Sequence, residues 1–280
     1  MTGETQDVLD RLAERAAGQP PEAPLHLYCK VLAAQAQAEE LIAPPPPLLS
    51  AAEARDRSDR GQPLLSFADL RIDWRLVRST LETIGAIVAQ FDGAPGEVSR
   101  VVTELGSSEE ALARATKSWF EAPAQPSADE TAALGDLLLQ AALKPFLVRH
   151  RDALIGLVDQ ERWRRPACPV CGGAPDFAFI NQDGTRWLLC GRCEARWLFQ
   201  RVGCPYCGAA HPDDLAFFAH PDGVHRLYVC EQCRRYLKAI DLRQAREAAL
   251  LPLERLMTAD LDLLASEMGY AQFAEPAVRH

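Results

Sequence analysis

"CGRCEARWLFQRVGCPYCG", residues 190–208, carries two C-x-x-C pairs joined by an arginine- and tryptophan-bearing connector. Two more such pairs lie outside it. The four pairs are Cys168/Cys171, Cys190/Cys193, Cys204/Cys207 and Cys230/Cys233. Clustered cysteines form disulfide bonds, act as redox-active thiols or bind metal, and their spacing indicates which of these roles applies. The fold around this segment therefore follows from what the eight sulfurs do.

The cysteine pairs belong to an internal repeat. The first pairs of the two copies are displaced by 36 positions, and the second pairs are displaced by 40. Both copies open with C-P-x-C-G and pass through an apolar, strand-like run into an Asp-Gly turn (Asp183-Gly184 and Asp222-Gly223). An Asp-Gly turn between apolar runs is typical of a β-hairpin. The sequence predicts two four-cysteine hairpin modules, at residues 164–202 and 203–242.

Metal coordination explains the spacing of the cysteines. Two residues between thiolates let one tight turn present both sulfurs to one ion, and a following glycine tolerates the backbone angle of that turn. Two such turns, here called knuckles, complete a closed tetrahedral S4 shell, which disfavours catalysis by the metal itself. The repeat favours one site from Cys168, Cys171, Cys190 and Cys193, and another from Cys204, Cys207, Cys230 and Cys233. Crossed pairing of alternate knuckles remains open, and the S4 donor set suits zinc and iron alike.

The surroundings of the cysteines argue against redox and disulfide chemistry. A dithiol oxidoreductase places C-x-x-C at a helix N-terminus, whereas "CPVCG" and "CPYCG" follow "RRPA" and "RVG". The N-terminal stretch "MTGETQDVLDRLAER" is polar and acidic where a signal peptide is basic and then apolar. We therefore expect a cytoplasmic protein, in which cysteine clusters bind metal more often than they form disulfides. No uninterrupted apolar run of 18 residues is present, so we expect no membrane insertion.

Charge is distributed unevenly along the chain. The whole chain has a net charge of −9, yet residues 164–240 hold ten lysines and arginines against seven acids, a net +3, which leaves −12 elsewhere. A dedicated nucleic-acid binder is usually more basic than this. A zinc-ribbon nucleic-acid-binding protein is therefore the alternative interpretation, and docking to an acidic protein surface is the favoured one.

Helical patterns fill the rest of the chain. Residues 1–163 read as a helical domain with a proline-rich linker at about 43–63, and residues 243–280 as a C-terminal helix and tail, with Pro252 near the first turn of that helix. Ser107 with Glu110, and Ser127 with Glu130, match capping boxes. Pro145 is expected to kink or end its helix. An apolar stripe predicts a core-facing helix at Trp74, Val77, Leu81, Ile84, Val88 and Phe91.

The segment from Cys190 to Cys204 reads C-x2-C-E-x2-W-x3-R-x2-C, with Glu194, Trp197 and Arg201 in place. The last knuckle reads C-x2-C-x2-Y-L-K with Tyr236 and Lys238, and "ADLDLLASEMGY" ends in Gly269-Tyr270. These motifs resemble those of the bacterial formate dehydrogenase accessory proteins of the FdhE type. The resemblance covers about residues 165 to 270.

This resemblance implies a non-enzymatic, cytoplasmic maturation factor that binds the catalytic subunit of a formate dehydrogenase. It implies an α+β protein with a helical N-terminal domain, two tandem rubredoxin-like or zinc-ribbon-like four-cysteine modules that bind two iron ions, and a C-terminal helix. It implies that the eight cysteines bind metal. It does not by itself make the other motif residues contacts of the client, and structural roles are the favoured interpretation for Trp197, Arg201, Tyr236 and Lys238. A dithiol oxidoreductase or an iron electron carrier is the enzyme-class alternative.

Overall fold

The structure, a computed structural model, describes residues 3–16, 23–122, 129–245 and 249–272. The chain divides into two compact units, residues 1–46 with 66–153, and residues 47–65 with 154–280. The predicted class is confirmed, since helices precede a sheet that carries two groups of four cysteines. The sequence places its main boundary near residue 163. In the structure the second unit begins at Leu154 and also includes residues 47–65.

The first unit is helical. Its helices are α1 (Gly3–Ala16), α2 (Ala23–Leu41), α4 (Trp74–Ala89), α5 (Val98–Leu105), α6 (Glu109–Glu121) and α7 (Glu130–Leu154). The stripe predicted for α4 forms part of the core, because Val77, Leu81 and Ile84 are fully buried. Asp73 caps the N-terminus of α4, because its carboxylate accepts hydrogen bonds from the backbone N–H groups of Arg75 and Leu76.

Two helix signals differ in detail from their prediction. The cap of α6 is Ser108, whose Oγ accepts from the Ala111 N–H at 3.0 Å, instead of the predicted Ser107. The predicted cap at Ser127 lies outside the described residues. The helix α7 continues through Pro145 and remains one element to Leu154, so the predicted break is wrong.

The apolar character of α7 permits two interpretations. By length and composition the span Glu130–Leu157 is able to cross a membrane, with a mean hydropathy of 1.3 over its most apolar window. A packed core helix passes the same test. Leu138, Leu143 and Leu147 on this helix are buried within the first unit, as a core helix requires.

The second unit contains one six-stranded sheet. Its strands are β1 (Pro175–Ile180), β2 (Arg186–Cys190), β3 (Arg196–Phe199), β4 (Leu215–Ala219), β5 (His225–Cys230) and β6 (Tyr236–Asp241), in the order β3-β2-β1-β6-β5-β4. Each repeat copy forms an antiparallel three-stranded meander with a hairpin at its Asp-Gly turn as predicted, and Gly184 and Gly223 have positive φ. Parallel pairing of β1 with β6 joins the two meanders into one sheet.

The segment predicted to be a linker contains a helix of the second unit. Helix α3 (Ala51–Asp59) starts at a capping box in which Ser50 and Glu53 bond each other's backbone N–H. After it, the N–H groups of Leu64 and Leu65 donate to the carbonyls of Pro169 and Val170 at 2.9 and 2.8 Å. This segment therefore packs against the first knuckle.

Two short helices end the described chain, where one helix from about Arg243 was predicted. Strand β6 runs to Asp241, whose carboxylate binds Arg243 and Arg226, and the helices α8 (Leu251–Met257) and α9 (Ala259–Glu267) follow. Pro252 lies in the first turn of α8, as predicted. Apolar residues of both helices, including Leu251 and Leu261, pack on side chains of the sheet.

Candidate metal centres

Four buried sulfurs converge in the first module. Cys168 and Cys171 lie in the turn before β1, Cys190 ends β2, and Cys193 lies in the turn to β3. Their Sγ atoms all lie within 4.8 Å of one another. The Cys168–Cys193 and Cys171–Cys190 separations are 3.7 and 3.5 Å. We refer to these four residues as the first quartet.

The second module repeats the arrangement with Cys204, Cys207, Cys230 and Cys233, here the second quartet. The Cys204–Cys233 and Cys207–Cys230 sulfur separations are 3.7 and 3.6 Å. Cys207 is exposed and Cys233 is half-buried, so this quartet is more open to solvent than the first. The structure groups the cysteines sequentially, in the combination that the repeat favours, and not in the crossed one.

The sulfur geometry fits a tetrahedral ion. A metal–sulfur bond of about 2.3 Å places sulfurs about 3.8 Å apart along a tetrahedron edge. The observed closest pairs, at 3.5–3.7 Å, approach that value and are far longer than a disulfide bond of about 2.05 Å. Each quartet could therefore hold one metal ion, and zinc and iron both satisfy the donor set.

All four knuckles share one backbone turn. In each, the residue after the second cysteine has a left-handed φ: Gly172 (73°), Glu194 (59°), Gly208 (79°) and Arg234 (53°). The first cysteine of each knuckle donates its N–H to a carbonyl five residues later, at 2.7–2.9 Å. Glycine adopts this φ freely, whereas a residue with a side chain is strained by about 1–2 kcal/mol. Glycine occupies this position in two of the knuckles, and the other two carry Glu194 and Arg234.

Contacts from the C-terminal region hold the two strained residues. Glu194 accepts a hydrogen bond at 2.7 Å from Arg255 of α8, and Arg255 also binds Asp176 at 2.8 Å. Arg234 stacks its guanidinium on the Tyr270 ring at 3.9 Å and donates to the Met268 carbonyl. Sequence reasoning did not identify Arg255, because no local pattern marks a residue that acts 61 positions away from its partner.

The thiols differ in acidity within each quartet. Burial raises the pKa of Cys168 and that of Cys193 well above the ordinary value, while hydrogen bonds from neighbouring thiols, first Cys168, hold the pKa of Cys171 well below it. In the second quartet, a hydrogen bond from Cys233 lowers the pKa of Cys204 to about 5, and burial raises that of Cys230 to about 11. Binding an ion to four thiolates must therefore displace protons, so metal affinity rises with pH.

Comparisons with known proteins agree with this geometry. Residues 167–201 match the family model described as the central domain of FdhE. The chain is 34% identical over 134 residues to an FdhE homolog from Aquifex aeolicus, a match that covers 46% of each chain. It is 29% identical over 283 aligned positions to an FdhE homolog from Stutzerimonas stutzeri, covering 95% of this chain and 87% of that one. Over most of its length the chain is similar to proteins of the FdhE family.

The fold is that of a solved FdhE structure as well. The crystal structure of the FdhE protein from Pseudomonas aeruginosa superimposes with a TM-score of 0.62, covering 99% of this chain and 96% of that chain. Its sequence identity is 24%, so this comparison concerns the fold alone.

Most of the family-motif residues stabilise the second unit internally. The indole of Trp197 donates to the Arg165 carbonyl at 2.9 Å, and the Tyr236 hydroxyl donates to Asp262 at 2.7 Å. The buried Lys238 ammonium donates to Asp262 at 2.6 Å and to two carbonyls at the α8–α9 junction. Arg201 differs, because it is exposed and makes no ion pair among the described residues.

Two histidines in the β4–β5 hairpin also approach one another. His220, Asp222 and His225 form a third group of ligand-type side chains, although their contacts are ion pairs: Asp222 lies 2.9 and 2.6 Å from the two rings. His220 also contacts Asp260 at 2.8 Å, and His225 contacts Glu254 at 3.1 Å. His225 is buried. These pairs join the hairpin to α8 and α9.

Proposed function

We propose that this protein is an accessory factor for the maturation of formate dehydrogenase, acting in the cytoplasm without catalysing a reaction. The observation that carries the proposal is the pair of sulfur quartets, whose geometry fits two tetrahedral ions, in a chain that is similar to FdhE proteins. Its client is the catalytic subunit of the dehydrogenase. Binding occurs through a surface that the two ions make rigid.

The closed quartets support a structural use of the metal. Four sulfurs would occupy every coordination position of each ion, which leaves no position for a substrate. When bound, the ion supplies thiolate neutralisation and a fixed tetrahedral anchor for two knuckles. The chain's own residues, such as Arg255 and Lys238, extend this anchor to the C-terminal helices.

The free edge of the sheet suits contact with the client. The outer edge of β3 is covered, because the Gln160 amide accepts from the Leu198 N–H at 3.1 Å. At the other edge, none of the described residues hydrogen-bonds the outer side of β4, which exposes Phe217 and Phe218. An open edge with exposed apolar side chains is a template for pairing with an extended segment. We therefore propose β4 as the strand that receives the client.

Recovery of the client tests this function. A tagged, metal-loaded protein purified without oxygen from formate-grown cells is expected to bring down the dehydrogenase catalytic subunit. Phe217→Ser/Phe218→Ser is expected to lose the client and keep both ions, whereas the control Leu137→Ser changes an exposed apolar residue on the first unit and keeps the client. Failure to recover the subunit, with unchanged formate oxidation in a deletion strain, would refute the proposal.

A further inference from the structure

A cavity of about 300 Å³ lies beside the second quartet. Strands β2, β4, β5 and β6 and the segment 201–206 line it, with apolar walls that include Val202, Phe217 and Leu237. This volume is at the lower end of the range for ligand-binding cavities in proteins. Arg186 and Arg201 also line it, and we refer to it as the arginine cavity.

Arg186 is a buried cation without a carboxylate partner among the described residues. The residue is 3% exposed, and Nη1 donates to the Gly203 carbonyl at 2.9 Å, while Nε has no hydrogen-bond partner in the part of the chain that the structure describes. Its guanidinium lies over the rings of Tyr228 and Phe199 at 5.1 and 5.9 Å. Burial lowers the pKa of Arg186, but arginine keeps its charge in proteins.

Two other arginines of the same unit have carboxylate partners of the kind that no described residue offers to Arg186. Arg226, which also lines the cavity, binds the buried Asp241 at 2.6 Å, and Arg255 binds both Asp176 and Glu194. A buried charge without an ion-pair partner is unfavourable, and natural proteins normally pair it. The neighbouring Cys204 thiolate acts on the Arg186 guanidinium, but Cys204 is a residue of the second quartet and no described carboxylate pairs with Arg186. Arg201, at the exposed end of the cavity, adds a second charge that no described carboxylate pairs with.

We propose that the arginine cavity binds a carboxylate carried on an apolar body, with the carboxylate on the Arg186 guanidinium and the apolar body against Val202, Phe217 and Leu237. A guanidinium matches a carboxylate by two parallel hydrogen bonds, and Nε belongs to the donor edge that forms them. The apolar walls disfavour a phosphate dianion, which loses more hydration on burial. A free aromatic acid and the C-terminal residue of a polypeptide share this chemistry. The proposal does not depend on the role in formate dehydrogenase maturation.

Titration of the metal-loaded, full-length protein tests the cavity. The probes are 3-phenylpropionate, its amide, inorganic phosphate, and a heptapeptide ending in phenylalanine with a free or an amidated C-terminus. Because a charge-assisted pair is lost, we expect each amide to bind at least about tenfold more weakly than its acid. Binding of the small acid alone identifies a free acid as the ligand, and tighter binding of the free-carboxylate peptide identifies a chain terminus; either result supports the proposal.

Variants separate ligand binding from a purely structural role of Arg186. Arg186→Gln is expected to abolish acid binding, and the exposed Arg201→Gln to weaken it several-fold without changing metal content. Arg164→Gln removes an exposed arginine that pairs with Glu161 away from the cavity, and it should bind the acid as the unmodified protein does. Equal binding of acid and amide, an equal response to phosphate, or no acid binding at millimolar concentration overturns the proposal. If Arg186→Gln fails to fold, the acid–amide difference and Arg201→Gln still decide it.

Discussion

Arg255 is the side chain that joins the C-terminal helices to the first quartet. Its guanidinium reaches Asp176 at the start of β1 and Glu194 in the second knuckle, and all three side chains are less than one-fifth exposed. Removing the cation leaves two carboxylates in a low-dielectric environment and releases the strained Glu194 backbone. A single residue on α8 therefore supports the turn that presents Cys193.

Arg255→Gln is expected to lower the free energy of unfolding of the metal-loaded protein by about 3 kcal/mol, because it breaks a buried pair on one side only. Denaturant unfolding measures this change. The control Arg164→Gln breaks an exposed pair and should cost about 0–1 kcal/mol. Equal losses in the two variants would show that the bridge to Glu194 and Asp176 does not support the knuckle.

At the scale of elements, the two modules differ in the access that solvent has to their knuckles. The first quartet is buried throughout and has the segment around Leu64 packed against its first knuckle. In the second quartet Cys207 is exposed. A chelator or an alkylating reagent in solution reaches a ligand thiolate faster where its sulfur is accessible.

Anaerobic chelation of the loaded protein is expected to remove two ions in two phases, with the second quartet emptied first. Alkylation followed by mass spectrometry should label Cys207 in the first phase and Cys171 only in the second. Loss of both ions in one phase, or labelling of Cys171 first, would contradict the difference in access.

The β4–β5 hairpin is joined to α8 by a pair that responds to pH. Burial opposes the charged form of His225, but hydrogen bonds to Glu254 and Asp222 outweigh it and raise the pKa of His225 above its ordinary value. The pair therefore stabilises the fold fully below about pH 6.5, the unfolded value. That contribution is lost as the pH rises through the raised pKa of the folded state.

Hydrogen exchange of residues 251–257 is expected to become faster, beyond its intrinsic pH dependence, as the pH rises above about 6.5 and through the raised pKa of His225. His225→Gln should remove this excess, because glutamine carries no charge at any pH. Asp222 does not interfere, since its pKa is lowered and its own contribution is lost only in strong acid. An unchanged pH profile in His225→Gln would assign the effect to other groups.

At the scale of the whole molecule, the two units depend differently on metal. The first unit has a helical core of its own, with Leu81, Leu112 and Leu143 fully buried. In the second unit, two quartets anchor both ends of a small sheet. Structural S4-type sites contribute about 10–16 kcal/mol each to folding in small metal-binding domains.

Removal of both ions is therefore expected to unfold the sheet and leave the helices of the first unit folded. Hydrogen exchange measured region by region should show lost protection in β1–β6 and retained protection in α4 and α7. Readdition of zinc or iron under reducing conditions should restore the sheet. Retained protection of β1–β6 in a metal-free protein with eight reactive thiols would contradict the proposed role of the ions.

The grouping of the cysteines was predictable from sequence, because a C-x-x-C knuckle is a turn of a few residues and the repeat offset indicates which knuckles meet. The apolar stripe of α4 and the Asp-Gly hairpins were predictable for the same reason: period and turn chemistry are local. The polar composition of residues 51–59 led to the prediction of a linker, whereas Ser50 and Glu53 cap a helix there. The predicted start of the C-terminal helix at about Arg243 was also wrong, because Arg243 pairs with Asp241 at the end of β6.

The class of the protein, its two sulfur quartets and the turns that present them could all be predicted from the sequence, because they depend on residues close together in the chain. The pairing of β1 with β6, the ion pair of Arg255 with Glu194 and the burial of Arg186 without a described carboxylate follow from the tertiary structure alone. These features join residues far apart in sequence. Their energies come from burial and charge pairing, which no local pattern records.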